Sequence, residues 1–279
     1  MKVYEVINLG AKELQGICEN PKLEAELLLA YCLGVDRTKL IIQRDEEVED
    51  EVLKKFLEVL SKRKSYIPYQ YIVKKQYFMG LEFFVDENVL IPRPETEILV
   101  EEVLKRLKKG DTLIDIGTGS GAIAVSIAKY FSDCFIYAVD ISRKALEVAK
   151  YNAKKYSVLD KIAFIESNIF SNVPKGIKFD FIVSNPPYVK KGELETLQEE
   201  VKKEPTIALN GGEDGLLFYK EIIEESNFYM NTKGALCFEI GYDQKDEITD
   251  LLRKAGLGNV EVIKDLSGID RVIIAKYKL

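Results

Sequence analysis

Histidine is absent from all 279 residues. That removes imidazole-assisted activation of a nucleophile and the commonest nitrogen ligand for a metal, so whatever chemistry the chain performs works without either. Cysteine is sparse: Cys18, Cys32, Cys134 and Cys237 are far apart, with neither metal-ligand pairing nor the density of a disulfide framework. They read as reduced thiols in or near the core. No apolar run approaches the roughly 20 residues needed to span a bilayer, and the start, Met1-Lys2-Val3-Tyr4-Glu5, leads into charged helix-like sequence rather than a signal segment. A cytoplasmic protein is expected. An excess of positive charge is missing too: 40 Lys and Arg face 46 Asp and Glu, a net charge of -6, which argues against a broad nucleic-acid footprint while leaving room for a local basic patch.

What is present suffices for a sizeable core, with 47% hydrophobic residues. Residues 1–72 read as an all-helical domain. Leu23, Leu27, Leu28 and Tyr31 recur at helical spacing, and Val52, Phe56, Leu57 and Leu60 form a second apolar face. The Lys62-Arg63-Lys64 cluster reads as a solvated helix end, with docking of an acidic or RNA-bearing partner as the alternative. Residues 73–92 read as a hairpin linker, because short apolar runs are split by Met79-Gly80 and Asp86-Glu87-Asn88. From residue 93 to 279 a helix ending near Gly110 is followed by alternating strands and helices. Strands are expected at 112–116, 135–139, 162–166, 180–184, 235–240, 259–263 and 271–277, with helices near 121–130, 143–156, 215–226 and 244–255. This alternation predicts a doubly wound, Rossmann-like α/β sheet of seven strands, with an antiparallel return at one edge.

Two strand ends carry the chemistry. The first runs into Asp115-Ile-Gly-Thr-Gly-Ser-Gly121, where Gly117, Thr118 and Gly119 lead into a helix, as a turn that receives a nucleotide-like cofactor does. A tight strand-to-helix connection is the plainer reading of this turn taken alone. Asp140 ends the next strand, where a carboxylate can accept both hydroxyls of a ribose; Ser142 is better placed to cap the following helix. Ile141 follows it. Asn168 and Ile169, after the third strand, suit an adenine pocket by amide hydrogen bonding and apolar contact.

The second end is Asn185-Pro186-Pro187-Tyr188, emerging from Phe181-Ile182-Val183. Two prolines remove two backbone donors, leaving carbonyls, one side-chain amide and one aromatic face. That is equipment for holding a planar NH2 group. The Asn185 side-chain carbonyl and the Pro186 main-chain carbonyl can each accept one N–H, Tyr188 can pack on the planar group, and Pro187 stiffens the loop. These are positioning roles, and none of these residues is a methyl-transfer nucleophile.

Together with Leu90-Ile-Pro-Arg-Pro-Glu-Thr-Glu97, Val139-Asp-Ile-Ser142, Glu204-Pro205-Thr-Ile-Ala-Leu209 and Gly211-Gly-Glu-Asp-Gly215, these segments make the whole chain resemble the HemK-like release-factor glutamine methyltransferases, also called PrmC. The resemblance implies a class I methyltransferase fold and use of S-adenosyl-L-methionine, leaving S-adenosyl-L-homocysteine. It implies N5-methylation of the glutamine in the Gly-Gly-Gln loop of bacterial-type peptide-chain release factors 1 and 2, with the helical domain docking the substrate. It also assigns Arg93 and Thr96 to the methionine end of the cofactor, alongside Asp115, Gly117, Thr118, Gly119, Asp140, Ile141, Asn168, Ile169 and Asn185. Glu204, Pro205 and Glu213 are expected to support the catalytic loop or the cofactor edge. Family members commonly carry an acidic residue followed by an aromatic near Asn168-Ile169, and this chain departs from that pattern there, so the resemblance does not fix the adenine contacts. An adenine-N6 methyltransferase is the alternative, since the same loop can orient an exocyclic amine on a flipped base. The chain is read as a monomer with no metal, no stable DNA partner and no membrane association.

Overall fold

The computed structural model describes residues 1–277, and they divide into two compact units. The first is Met1–Lys75 joined by the later segment Gln198–Lys203; the second is the rest of the described chain from Gln76.

The first unit is helical: α1 (Val3–Glu13), α2 (Pro21–Leu33), α3 (Arg37–Ile42), α4 (Asp50–Lys64) and α5 (Tyr69–Val73). Helix α2 begins with Pro21 in its first turn behind Asn20, whose side chain accepts the Leu23 N–H, and ends on Gly34 in the left-handed conformation. Val6, Leu28, Leu29, Leu40, Phe56 and Leu60 close a common core. Leu57, expected on the apolar face of α4, points outward and is 46% exposed. A second expectation fails at Arg63. Lys62 and Lys64 are solvated, but Arg63 is buried and paired with Glu24 of α2 and with Glu200 at 2.7 Å. Burying a guanidinium requires such partners.

The second unit starts with the hairpin β1 (Gln76–Phe78) and β2 (Leu81–Phe83), whose Phe78 and Phe83 are buried in that unit's core. Asn152 fastens the chain just beyond it, accepting the Phe84 N–H and donating to the Phe84 and Ser120 carbonyls. Then come α6 (Pro94–Leu104), β3 (Thr112–Ile116), α7 (Ala122–Tyr130), β4 (Phe135–Asp140), α8 (Arg143–Lys155), β5 (Ile162–Glu166) and β6 (Phe179–Ser184). The chain closes with α9 (Leu217–Tyr229), β7 (Met230–Glu239), α10 (Lys245–Lys254), β8 (Asn259–Lys264) and β9 (Asp270–Lys276).

The seven strands order as β5-β4-β3-β6-β7-β9-β8. Neighbours are parallel except at β9, which lies antiparallel between β7 and β8. The seven-stranded doubly wound sheet and its antiparallel edge are therefore as the sequence implies. Strand β7 begins five residues before the expected Ala235, because polar Asn231-Thr-Lys-Gly234, which reads as a turn, is carried within a strand whose register against β6 shifts between Phe179 and Phe181. Two apolar layers flank the sheet, one with Ile123, Ile127, Leu113 and Phe181, the other with Ile114, Ile182, Phe238 and Tyr219. The four cysteines are free, with Cys32, Cys134 and Cys237 buried and Cys18 half-buried. No helix among the described residues is long and apolar enough to cross a membrane.

Candidate active site

The order of strands places the chemistry. Connections after β3 run one way to β4 and β5, whereas β6 pairs on the other side of β3 and leads to β7. The C-terminal ends of β3 and β6 therefore flank the switch point of the sheet, where open α/β folds receive ligands. Register makes the meeting local: Ile116 is level with Val139 on β4 and Ser184 on β6, and Asp140 is level with Glu166 on β5. The residues that follow, Gly117, Asp140, Asn168 and Asn185, thus leave the sheet at one level. Ser184 ties the two central exits together by donating its hydroxyl to the Ile116 carbonyl at 2.7 Å.

A cleft of about 350 Å³ opens there, within the usual size of small-molecule sites. Gly117, Gly119, Asp140, Ile141, Asn168, Ile169, Asn185, Pro186 and Pro187 line it. Pro205, expected at the cofactor edge, lines it too, whereas Arg93, Thr96, Asp115, Thr118, Tyr188, Glu204 and Glu213, also named from the sequence, are not among the lining residues. The sequence reading missed part of the wall. Asn88, Val89 and Leu90 contribute from the segment after the hairpin, Ile207 and Ala208 from the long loop after β6, and Leu217, Phe218 and Ile222 from α9. On α9 the signal was hidden, because residues facing a cleft and residues facing the core share one apolar stripe.

Gly117, Gly119 and Gly121 all have positive φ, so the turn after β3 needs glycine. Its carboxylate partner is Asp140, which accepts the Gly119 N–H at 2.9 Å and the Ser142 N–H at 2.8 Å. Each oxygen keeps a further lone pair for a ligand hydroxyl. Burial raises the Asp140 pKa, opposed by those two backbone bonds. Ser142 caps α8, its hydroxyl accepting the Ala145 N–H at 3.2 Å. Behind the turn, Asp115 accepts the Thr118 hydroxyl at 2.6 Å through Oδ2 and faces the Ala124 main-chain N–H. Burial pushes Asp115 up to about 7, against the Thr118 bond. Ile169 is held at φ 49°, a left-handed conformation costly for a β-branched residue. Ser167 supports that turn by donating to the Ile169 carbonyl and accepting the Asn172 N–H.

The Asn185 loop is gripped from behind. Asn185 Nδ2 donates to the Thr96 hydroxyl at 3.1 Å, and Thr96 donates to buried Glu239 at 2.5 Å. Neither Thr96 nor Glu239 was assigned this position from sequence, although an acid in the apolar run Leu236-Cys-Phe-Glu-Ile240 is a signal of a buried charge with a purpose. Pro94 starts α6 and Glu95 sits in its first turn, as their positions suggest. Arg93 pairs with Glu204 at 2.5 Å, and Glu204 also accepts the Ile91 N–H at 3.0 Å. Glu213 is solvent-facing and paired with Lys191, away from the cleft lining. Tyr188 packs on the core, and burial pushes its hydroxyl up to about 12. Its carbonyl accepts from Gln244. The Gly211 segment lies against this loop through Val189 N–H to Leu209 O and Gly211 N–H to Val189 O, so closely that a Cβ on Gly211 would stand 2.7 Å from the Tyr188 Cα.

The result is a doubly wound fold with a small-molecule-sized cleft at the switch point, lined by the Asp140 carboxylate and the amide-bearing proline loop. Family models agree on both parts of the chain: the PrmC N-terminal domain matches residues 5–73 and the methyltransferase small domain matches residues 94–217. A release factor glutamine methyltransferase of Bacillus subtilis is 42% identical over 260 residues, covering 90% of each chain. One of Bacillus cereus is 40% identical over 288 residues, covering all of both. A solved methyltransferase from Pyrococcus furiosus shares the fold, with a TM-score of 0.54 at 22% identity over 78% of this chain and all of that one. The chain belongs to the release factor glutamine methyltransferase family, and it is a methyltransferase.

Two outcomes test the site. Asp140→Ala removes an acceptor that also holds the Gly119 turn; at about 1–3 kcal/mol for a lost buried partner, cofactor affinity is expected to fall roughly tenfold to a hundredfold while the fold persists. Calorimetry reads this, and unchanged affinity rejects the assignment. Gly211→Ala is expected to lose about 1–3 kcal/mol of stability through overpacking against backbone, with lower turnover. Denaturant melts and methyl-transfer rates check it; wild-type values for both would show that the loop yields freely.

Proposed function

We propose that this protein transfers a methyl group from S-adenosyl-L-methionine to N5 of the glutamine side chain in the Gly-Gly-Gln motif of peptide-chain release factors 1 and 2. The observation that carries the reading is the state of Asn185: its NH2 donates to Thr96, which leaves its carbonyl as the end turned from Thr96, and Asn185 lines the cleft. The release-factor substrate is suggested by the names of the relatives, and the helical first unit is the docking element in this reading.

The cofactor fits what the cleft offers. Asp140 would take the ribose hydroxyls, Ile141 and Ile169 would flank the adenine with Asn168 as its polar contact, and Gly117 and Gly119 would let backbone approach the rest. S-adenosyl-L-methionine supplies an electrophilic methyl on a sulfonium.

The acceptor poses the harder problem. An amide nitrogen has its lone pair conjugated with the carbonyl, a delocalisation reflected in a rotation barrier of roughly 18–20 kcal/mol. Orientation is then the main lever. Asn185 Oδ1 accepts one N–H and the Pro186 carbonyl the other, holding the nitrogen toward the methyl as positive charge develops on it. Pro186 and Pro187 present no N–H, so nothing there attracts the glutamine carbonyl and the wrong face is refused. The N–C bond would form as the donor's C–S bond breaks, and the proton lost from the cationic amide nitrogen, which is strongly acidic, would pass to water. Tyr188, with its hydroxyl held up at about 12, keeps its own proton and is no base.

A labelled-methyl experiment decides between substrates: the protein is incubated with cofactor and release factor, Gly-Gly-Gln peptide or adenine-containing DNA, and the labelled atom is mapped by mass spectrometry. Label on the glutamine nitrogen of intact factor, with little on peptide, is expected. Label on adenine N6 would replace this reading. Asn185→Ala is expected to keep cofactor affinity and lose on the order of 100- to 1,000-fold in single-turnover rate, the equivalent of about 3–4 kcal/mol of transition-state stabilisation. Near-wild-type methylation by the folded variant would remove Asn185 from this role.

A further inference from the structure

Thr96 has one hydroxyl proton and two polar neighbours. It gives that proton to Glu239 Oε2 at 2.5 Å and accepts from Asn185 Nδ2 at 3.1 Å. Thr96 and Glu239 are 4% and 2% exposed, so bulk solvent does not reach the pair. With its proton committed to a carboxylate, the hydroxyl oxygen can only accept, and the Asn185 amide must turn its NH2 toward it. The Asn185 carbonyl is thereby the end turned away from Thr96, on a residue that lines the cleft.

We propose that Glu239, acting through Thr96, is a positioning residue that fixes the amide orientation of Asn185, and that protonation of Glu239 releases this orientation. The proposal rests on the reading of Asn185 as the group that receives the acceptor amide. It adds a pH-sensitive element, remote from the reacting atoms, that sets which end of that amide the substrate meets.

Several groups face Glu239. Thr96 and Glu95 come from α6, Arg93 from the residue before it, Arg271 from β9, Tyr188 from the loop after β6, and Tyr219 from α9. Burial pushes Glu239 up to about 7; the Thr96 hydrogen bond opposes this, Glu95 adds to it, and Arg271 and Arg93 oppose it. Tyr219 donates to the main-chain carbonyl of Glu239 rather than to its carboxylate, at 2.9 Å. Above its pKa, Glu239 is an acceptor only and the relay has one direction. Below it, the carboxyl can itself donate to Thr96, the Thr96 proton becomes available to Asn185 Oδ1, and the amide is free to turn. The oriented state is thus secured as pH rises through about 7.

The side-chain amide signals of Asn185 in nitrogen-15-labelled protein, identified by their loss in Asn185→Ala, report the relay without any substrate. They are expected to shift with pH in one transition near 7 in the wild type and in Thr96→Ser, and to lose that transition in Thr96→Val and Glu239→Gln. Asp115, also pushed up to about 7, has no hydrogen bond to these residues, so its own titration survives Thr96→Val. In parallel, single-turnover methylation at saturating cofactor is expected to rise through the same transition. Thr96→Val is expected to be flat and about tenfold slower above it, the cost of about one hydrogen bond, with unchanged cofactor affinity. Thr96→Ser should restore both rate and profile. Asn185 signals that do not titrate in the wild type, or that titrate unchanged in Thr96→Val, would overturn the proposal, as would a slow Thr96→Val enzyme that keeps its acid limb. Should Thr96→Val fail to fold, the Glu239→Gln titration decides the same question: a surviving Asn185 transition there overturns the relay, and its loss supports it. A protein whose Asn185 titrates through Thr96 but which methylates no release factor rejects the functional reading and leaves the relay standing.

Discussion

The active site depends on the register of three parallel strands. With Ile116 level with Val139 on one side and with Ser184 on the other, the chain leaves the sheet at Gly117, Asp140 and Asn185 from adjacent positions. A slip of one residue in β6 would turn every side chain of that strand to the opposite face. It would also move the proline loop away from the glycine turn. The register is held where burial is complete: Ile114 and Ile182 pack in one layer, Leu113 and Phe181 in the other, and Ser184 clamps the top with a bond to Ile116. Placement of the glycine turn, Asp140 and the proline loop is therefore a property of the core, and the loops inherit it.

The loops nonetheless need their own anchors, and these are buried polar groups. Glu204 gathers Arg93 and the Ile91 N–H, Asp140 gathers two backbone N–H groups, Gln244 holds the Gly241 N–H and the Tyr188 carbonyl, and Glu239 reaches Asn185 through Thr96. Such networks are costly when half satisfied and rigid when complete. Rigidity is what the proposed amide methylation calls for in the absence of histidine, because a weak nucleophile that cannot be strongly activated has to be well aimed.

Much of this was legible in the residues. Strand ends and the seven-strand count followed from apolar runs and turn residues, and the lining residues Gly117, Asp140, Asn168 and Asn185 stood at those ends. What escaped has a common physical character. Arg63 looks like the middle of a solvated basic run until Glu24 and Glu200, distant in sequence, are brought to it. Glu239 and Thr96 lie in different elements, and only the pairing of β7 with its neighbours and the packing of α6 join them. The positive φ of Ile169 leaves no trace in residue type, since isoleucine is the last choice local preference would make there. Local sequence reports periodicity and punctuation, while pairings between remote polar groups are decided by the folded core.

The proposed mechanism turns on the Asn185 and Pro186 carbonyls presenting the acceptor nitrogen to a methyl donor in the cleft lined by Gly117 and Asp140. A crystal structure with S-adenosyl-L-homocysteine and a Gly-Gly-Gln peptide would show that contact itself. The homocysteine product is expected with its ribose on Asp140, and the glutamine NH2 within hydrogen-bonding distance of both carbonyls. A glutamine bound with its oxygen toward Asn185, or a peptide seated away from the cleft, would contradict it.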